Sequence, residues 1–302
     1  MTLPDFLLIG AARSGTTSLN NYLGQHPEIF ICPKKESSFF ALEGHPRNFA
    51  GPSADISWFN PHIVTAISDY QALFNGISSE KVSGEASVLY LYSPIAARNI
   101  YRYLPNAKLL VILRNPAERA YSNFMFQVSR GHETILDFQK ALDEEPRRIA
   151  ANWRHMWHYK QLGFYYQQLS HYYDLFSHDQ IRVYLYEDYN RDPMPILKNI
   201  YAFLQVDDTF QPDLSIQLNI SGLPKSRKMD AFLKSRNLLK SALRSFLPRK
   251  LRSLIRNRVY RQNLNRPELA PEIRRALLEE YREDILKLQD IIQRDLMGWL
   301  SG

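Results

Sequence analysis

Short apolar runs of strand length alternate along the chain with longer stretches in which apolar residues recur at helical spacing. Four runs stand out, at 6–9, 28–32, 108–113 and 181–186, and a weaker one lies at 81–87. The run KLLVIL at 108–113 is almost continuously apolar, which is typical of a central parallel strand. The alternation of strands with helices predicts an α/β fold, in which helices flank both faces of a parallel sheet.

Proline positions mark the starts of several predicted helices. We expect Ser93 to cap a helix that has Pro94 in its first position and ends near residue 104. Pro116 similarly begins a helix that extends to about residue 129. Glu187 and Asp188 are expected to cap a later helix. Further helical segments are predicted at 70–74, at 136–173 with breaks at Pro146 and Gly163, at 193–204, and over the last eighty residues.

The composition is that of a globular protein from a reducing compartment. A length of 302 residues allows one large domain with an ample core, and 45% apolar content excludes a disordered chain. The single cysteine, Cys32, excludes an intramolecular disulfide. Neither a signal-peptide pattern nor a run of about 20 apolar residues is present. We therefore predict a cytoplasmic protein with one domain over 1–302, comprising a core at 5–230 and a basic helical part at 228–302.

The net charge of +7 is concentrated near the C-terminus. Residues 225–266 contain fourteen Lys or Arg residues and one acid, Asp230, so this segment carries +13 and the remainder −6. Apolar residues at broadly helical spacing make an amphipathic helix with a solvated cationic face the simplest interpretation. A peripheral membrane-surface patch or a groove for an acidic acceptor are the functional alternatives, and nucleic acid is a less favoured partner.

The stretch FLLIGAARSGTT at 6–17 has the order strand, Gly-rich turn and helix N-terminus. Such a turn makes an anion site, because backbone N–H groups converge there and the helix dipole favours negative charge. Gly10 and Gly15 have the Gly-x-x-x-x-Gly spacing of a nucleotide-binding P-loop, but Thr16 stands where that loop needs Lys. Arg13 is the only cation in the turn. The pattern predicts a P-loop-like phosphate site that fits ordinary NTP hydrolysis poorly.

Two more segments offer cationic groups to the same edge of the sheet. Arg114 ends the strand at 108–113, and Ser122 lies two turns into the following helix. A guanidinium fork and a hydroxyl together suit a phosphate monoester. Lys225 and Arg227 follow in a later basic cluster. Two anion sites on adjacent strands, with a third basic segment, predict a ligand that carries phosphates at both ends of a nucleoside.

An acidic residue follows the second predicted strand. Glu36 lies within PKKESSFF, at the carboxyl end where open α/β sheets place their chemistry. It is either a catalytic carboxylate or a solvated one neutralised by the preceding lysines. For Glu85, at the end of the weaker strand, a hydrogen bond to this loop and a contact with substrate are both open. His62 and His132 lie near site loops and are more simply structural.

These motifs, in order, resemble the PAPS-dependent sulfotransferases, where PAPS is 3′-phosphoadenosine 5′-phosphosulfate. The resemblance is strongest to bacterial and heparan-sulfate-type members, covers about residues 5–230, and rests on five segments in combination. They are GAARSGTTSLNNYLGQHPEIF, PKKESSFF, GEAS, KLLVILRNPAERAYSNF and NISGLPKSR.

The resemblance implies a role for each matching residue. Glu36 would be the catalytic base, Arg114 and Ser122 would bind the 3′-phosphate, and Lys225 and Arg227 would close over the nucleotide. The 5′-phosphosulfate would contact Arg13, Ser14, Gly15, Thr16 and Thr17. The implied reaction is in-line sulfuryl transfer to a hydroxyl or amine, without a metal, and it depends on positioning and charge stabilisation.

Two departures from the family pattern affect these roles. Much of the family has Lys where this chain has Arg13, and a guanidinium cannot readily donate a proton, so Arg13 would act electrostatically. The heparan-sulfate branch has Lys where this chain has Ala86, so that contribution is missing.

Two other functional classes remain open from the residues alone. The Gly-x-x-x-x-Gly spacing suits a P-loop kinase or NTPase, against which stand Thr16 and the lack of a convincing Mg²⁺-binding Asp. The basic segment 225–266 suits a non-enzymatic protein that binds membranes or nucleic acid. The sequence leaves the oligomeric state and the acceptor open, and we expect loops at 41–62 and 130–160 to shape the acceptor pocket.

Overall fold

The computed structural model describes residues 3–45, 49–51, 63–215, 223–224, 264–265 and 267–301. Five parallel strands form its main sheet in the order β2-β3-β1-β4-β5. The strands are β1 (Phe6–Gly10), β2 (Ile29–Ile31), β3 (Val82–Ala86), β4 (Lys108–Leu113) and β5 (Ile181–Leu185). Each lies within one residue at either end of its predicted run, and the predicted parallel α/β sheet is confirmed.

Alternating side chains of the inner strands supply two hydrophobic cores, one on each face of the sheet. Leu7 and Ile9 of β1 pack into the larger core, and Phe6 and Leu8 pack into the smaller one. The strand β4 divides its residues in the same way, which explains why its sequence is continuously apolar.

Helices cover both faces of this sheet. Those of the first half are α1 (Thr16–Leu23), α2 (Phe39–Leu42), α3 (Ile67–Ala72), α4 (Leu89–Tyr92), α5 (Ala96–Tyr103) and α6 (Pro116–Arg130). Those of the second half are α7 (Phe138–Asp143), α8 (Glu145–Ala150), α9 (Tyr165–Tyr173), α10 (Tyr186–Arg191), α11 (Pro193–Leu204), α12 (Pro271–Ile292) and α13 (Met297–Leu300). None of the helices in the described ranges is long and apolar enough to cross a membrane.

Two predicted helix boundaries are wrong, and one predicted break is confirmed. Ser93 ends α4 and does not cap α5, because the buried residues Leu89–Tyr92 form an extra helical turn before it. The break predicted at Pro146 is confirmed, because α7 ends at Asp143 and Pro146 lies in the first turn of α8, where proline is tolerated. Glu187 and Asp188 lie inside α10, and the next helix, α11, is capped by Asp192.

The C-terminal helix α12 packs against α6 and α9. Asp284 on α12 accepts the backbone N–H groups of Tyr166 and Gln167, and so caps the start of α9 from a distant part of the chain. The last eighty residues were predicted to be helical, and residues 225–263 of that stretch lie outside the described residues. The short antiparallel strands β6 (Leu223–Pro224) and β7 (Leu264–Asn265) pair with each other, and β6 lies beside α6.

Candidate active site

The carboxyl ends of all five parallel strands meet at one edge of the sheet and carry nearly all the predicted site residues. The strands β1 and β4 are direct neighbours, so the turn after β1 and Arg114 after β4 lie side by side. On the other side of β1 are β3, which ends at Ala86, and then β2, which precedes Glu36. The edge therefore has a cationic half at β1 and β4, with Arg13 and Arg114, while the carboxylates of Glu36 and Glu85 lie at β2 and β3.

The turn after β1 leaves the start of α1 open for an anion. Gly15 is the cap residue with a left-handed φ of 89°, and no side chain caps the helix. Its first turn contains no acidic residue. Ser14 is fully buried, and its Oγ has no hydrogen-bond partner among the described residues. The geometry is that of a phosphate-binding turn, with free backbone N–H groups and a hydroxyl available to a ligand.

Arg13 lies between the turn and helix α6. Its Nε donates a hydrogen bond to Ser122 Oγ at 3.4 Å, and its guanidinium lies 4.4 Å from the ring centroid of Phe126. Burial, followed by the nearby charge of Arg114, lowers the pKa of Arg13 to about 10. The group is still a cation at neutral pH, but its charge is held in surroundings that disfavour it and that an anion would offset.

Arg114 is fixed from three sides. Its guanidinium donates to the Arg13 carbonyl oxygen at 3.5 Å and lies 4.9 Å from the ring centroid of Tyr186. Glu118, one turn along α6, is 3.9 Å away. The Tyr165 hydroxyl donates to the Arg114 carbonyl oxygen at 3.0 Å. These contacts aim a planar guanidinium at the same edge as Arg13, a geometry that suits a phosphate oxygen pair.

The donor set fits a doubly phosphorylated nucleotide. The open helix start with Ser14 suits one anionic end, and Arg114 with Ser122 suits the other. Arg13, bonded to Ser122 and belonging to the turn, joins the two. Among the described residues no cluster of His, Cys, Asp and Glu is placed to hold a metal ion.

Glu36 follows β2 and is held against the end of β3. Its N–H donates to the Ala86 carbonyl oxygen at 2.9 Å, and its Oε2 accepts the N–H of Val88 at 2.9 Å. Lys35 forms an ion pair with Oε1. The side chain is 37% exposed, so its carboxylate remains reachable from solvent. The backbone of Glu36 is left-handed, with φ of 63°, a conformation that is costly for a residue with a Cβ.

Two roles were open for Glu85, a hydrogen bond to the loop that carries Glu36 and a contact with substrate, and the structure shows the hydrogen bond. It is 1% exposed, and its Oε1 accepts from Ser37 Oγ at 3.1 Å and from the Ser87 hydroxyl. Burial raises the pKa of Glu85 to about 7 against these hydrogen bonds, which favour the charged form. The carboxyl group lies behind the loop that carries Glu36, away from solvent.

The remaining predicted residues have separate positions. His132 lies just beyond α6, and its Nδ1 is 3.1 Å from Gln127 Oε1. Burial, followed by the nearby charge of Arg130, lowers the pKa of His132. His62, Lys225 and Arg227 lie outside the described residues. Pro224, which precedes Lys225, lies in β6 beside α6, the helix that carries Ser122.

Sequence reasoning missed the aromatic residues that support the cationic half. Phe126 stacks on Arg13, Tyr186 stacks on Arg114, and the ring of Tyr189 packs on Gly15. Tyr189 also donates to Ser18 Oγ at 3.0 Å. Tyr186 and Tyr189 follow the carboxyl end of β5 directly, and that position is the signal that could have identified them.

The two loops expected to shape the acceptor pocket meet in the described residues. The N–H of Ala50 donates to the Asn152 carbonyl oxygen at 3.0 Å, and Gly51 lies against the indole of Trp153. Arg154 is buried, with its guanidinium 5.3 Å from the Phe49 ring centroid. Burial lowers the pKa of Arg154 to about 10, and the charge of Glu36 acts in the opposite direction. The charges of Arg154 and Glu36 therefore interact, and nothing in the sequence had pointed to Arg154.

Comparison with known proteins identifies the relatives of this chain. A model described as the sulfotransferase family matches residues 4–211. The crystal structure of a sulfotransferase from Alicyclobacillus acidocaldarius superposes over the full length of both chains, with a TM-score of 0.79 and 32% identity. The resemblance drawn from the motifs is confirmed.

Two curated relatives match over less than half of this chain. Membrane-associated sulfotransferase kil1 of Dictyostelium discoideum is 33% identical over 128 residues, which are 42% of this chain and 24% of that protein. Human bifunctional heparan sulfate N-deacetylase/N-sulfotransferase 1 is 34% identical over 133 residues, 43% of this chain and 13% of that protein. The chain thus covers a quarter or less of the length of these two proteins.

Proposed function

The chain belongs to the sulfotransferase family, and from this premise we propose that it transfers a sulfuryl group from PAPS to an acceptor hydroxyl. A carbohydrate, a lipid or another small molecule would carry that hydroxyl, with an amine as the second choice. One observation carries the proposal: Arg13 and Arg114 converge from adjacent strands beside an uncapped helix N-terminus.

The nucleotide roles follow from the two anionic ends that this geometry serves. When bound, PAPS supplies the sulfuryl group and leaves as adenosine 3′,5′-bisphosphate. Ser14, Gly15, Thr16 and Thr17 would hold the 5′ end through backbone N–H groups and hydroxyls. Arg114 and Ser122 would hold the 3′-phosphate, and Lys225 with Arg227 would close over the nucleotide.

Arg13 would stabilise the charge that develops on the leaving oxygen. Its guanidinium is fixed by Ser122 and Phe126, so it is oriented before the reaction begins. Although burial lowers the pKa of Arg13 to about 10, the group still holds its proton at neutral pH. An electrostatic role therefore fits Arg13 better than proton donation.

Glu36 would take the proton of the acceptor hydroxyl. Its carboxylate is oriented by the Val88 N–H and by Lys35, yet it is 37% exposed and open to a substrate. A base in this position must reach the acceptor group at hydrogen-bond distance. The acceptor would lie between Glu36 and the joined loops around Ala50 and Trp153.

Calorimetric titration with adenosine 3′,5′-bisphosphate tests the nucleotide site. We expect wild-type binding without Mg²⁺, and a dissociation constant raised about 10- to 100-fold in Arg114→Ala, as for loss of a charged hydrogen-bond pair. Arg98→Ala, which removes an exposed arginine from α5, is the matched control and should bind like the wild type. Absence of wild-type binding would contradict the proposal, and Mg²⁺-dependent preference for ATP would favour a kinase or NTPase. A screen of hydroxyl and amine acceptors with labelled PAPS then identifies the substrate.

The remaining expectations concern where the protein acts. Its cytoplasmic location and a peripheral membrane contact through 225–266 stay predictions. Vesicle sedimentation with and without anionic lipid, at two salt concentrations, measures that contact directly.

A further inference from the structure

A buried carboxyl group lies directly behind the proposed base, and the transfer chemistry gives it no role. Glu85 is on β3 and is 1% exposed. One of its oxygens, Oε1, accepts hydrogen bonds from the hydroxyls of Ser37 and Ser87. Ser37 is the residue after Glu36, and Ser87 follows the end of β3. Glu85 therefore joins the loop after β2 to the end of β3 at the point where Glu36 is mounted.

The loop held in this way has an unfavourable backbone conformation. Glu36 and Ser38 both have left-handed φ angles, 63° and 55°. Each such residue costs about 1 kcal/mol or more, so the surrounding contacts must compensate. Ser87 Oγ accepts the N–H of Ser38 at 3.0 Å, and the Ser37 carbonyl oxygen accepts the N–H of Val64 at 2.8 Å.

Glu85 is the shared acceptor in a buried polar cluster that also contains the Tyr90 hydroxyl, 3.2 Å from Ser37 Oγ. Ser37 and Ser87 are both fully buried, and an apolar residue at position 85 would deprive both hydroxyls of their shared acceptor. The other oxygen of Glu85, Oε2, has no hydrogen-bond partner among the described residues. The surrounding titratable groups are Glu36, Tyr90, Tyr70 and Cys32, and burial raises the pKa of Glu85 to about 7.

We propose that Glu85 is a positioning residue for Glu36, which it holds in a left-handed, outward-facing conformation by fastening Ser37 and Ser87 together. The proposal rests on the proposed function only in taking Glu36 as the base. Glu85 itself touches neither the nucleotide turn nor solvent, so its loss should affect the rate of transfer and spare nucleotide affinity.

Steady-state kinetics of three variants test this role. Glu85→Ala removes the acceptor, and we expect kcat to fall at least tenfold while KM for PAPS and the affinity for adenosine 3′,5′-bisphosphate stay within twofold. Glu85→Gln keeps one oxygen for the two serines and should restore kcat to within about threefold of the wild type. Asp5→Ala is the matched control, since the Asp5 carboxylate accepts the N–H and the hydroxyl of Ser83 at the opposite end of β3 from the site. It should keep wild-type kcat.

Hydrogen exchange gives a second readout that needs no activity. The Ser38 amide is bonded to Ser87 Oγ and the Val88 amide to Glu36 Oε2, so peptides containing them report on the loop. Their exchange should accelerate at least tenfold in Glu85→Ala and remain unchanged in Glu85→Gln. If Glu85→Ala does not fold, Ser37→Ala replaces it and should show the same two effects.

Three results would overturn the proposal: unchanged exchange at Ser38 and Val88, a kcat loss of equal size in Asp5→Ala, or nucleotide affinity that falls in parallel with kcat. Failure of the wild type to bind adenosine 3′,5′-bisphosphate would instead overturn the proposed function. In that case the exchange rates still decide whether Glu85 holds the loop.

Discussion

At the scale of single residues, the two candidate chemical groups share an unusual backbone. Arg13 and Glu36 both have left-handed φ angles, 69° and 63°, although neither is glycine. Such conformations persist where surrounding contacts over-determine them, and they concentrate at functional sites. Here Ser122 and Phe126 fix Arg13, while Val88, Ala86 and Lys35 fix Glu36.

Replacement of the proposed base separates catalysis from binding. Glu36→Gln keeps the shape of the side chain and the bond from Val88 but cannot accept the acceptor proton. We expect kcat to fall by about 10²- to 10⁴-fold, as for loss of general-base catalysis, with nucleotide affinity unchanged. Glu279→Gln, which alters an exposed carboxylate paired with Arg282 on α12, is the control and should keep wild-type kcat. Full activity in Glu36→Gln, measured with labelled PAPS and an identified acceptor, would remove Glu36 as the base.

At the scale of elements, strand order decides which residues meet. Because β1 lies between β3 and β4, the turn after β1 has Arg114 on one side and the end of β3 on the other. Helix α6 then runs back from Arg114 and brings Ser122 to Arg13 across 109 residues of sequence. Each half of the proposed nucleotide site thus comes from its own strand–turn–helix unit.

The glycine at the start of α1 can be tested against a matched glycine elsewhere. Gly15 and Gly131 have similar left-handed φ angles, 89° and 77°. A Cβ at Gly15 would lie 3.1 Å from a ring carbon of Tyr189, whereas one at Gly131 would meet none of the described atoms within 4 Å. Alanine at either position should therefore lower the free energy of unfolding by roughly 1–2 kcal/mol, because a left-handed φ disfavours a residue with a Cβ.

Nucleotide binding should distinguish these two variants. We expect Gly15→Ala to weaken binding of adenosine 3′,5′-bisphosphate at least tenfold, because the displaced turn no longer presents its N–H groups to the anion. Gly131→Ala should bind like the wild type. Urea unfolding measures the two stabilities and calorimetry the two affinities. Equal affinities for the two variants would show that the turn is not the anion site.

At the scale of the whole molecule, the C-terminal helix is tied to the sheet layer through a buried charge. Asp284 of α12 caps α9, and the Asn115 amide at the end of β4 donates to the Trp299 carbonyl oxygen at 3.1 Å. Both contacts join residues more than 100 positions apart. The described C-terminal helices therefore support the segment that carries Arg114.

The charge of Asp284 makes this docking sensitive to pH. Burial raises the pKa of Asp284 from 3.8 to about 6, against the hydrogen bonds from the α9 backbone. Between these values the folded state binds the proton more tightly than the unfolded chain, so stability falls as pH rises through the window. The wild type should lose about 2 kcal/mol relative to Asp284→Asn between pH 4 and pH 7. Urea unfolding of both proteins at each pH measures this, and identical pH dependence would contradict it.

The sequence by itself determined the elements and their chemistry. All five strands, the tight turn at Gly10–Thr17 and the positions of Arg114 at a strand end and Ser122 on the following helix followed from apolar runs, glycine spacing and proline positions. Such signals are local, since they depend on backbone freedom and on burial of both faces of a strand. The boundary predicted at Ser93 failed because the buried residues Leu89–Tyr92 form an additional helical turn before it.

Tertiary structure alone decided which side chains act on one another. The stacking of Phe126 on Arg13 and of Tyr186 on Arg114, and the placement of Arg154 near Glu36, join residues from distant segments. The same holds for Glu85, whose two open alternatives were resolved by its burial against Ser37. Burial and neighbouring charge are properties of the packed molecule, because they depend on distances that no local pattern specifies. They set the lowered pKa of Arg13 and the raised pKa of Glu85.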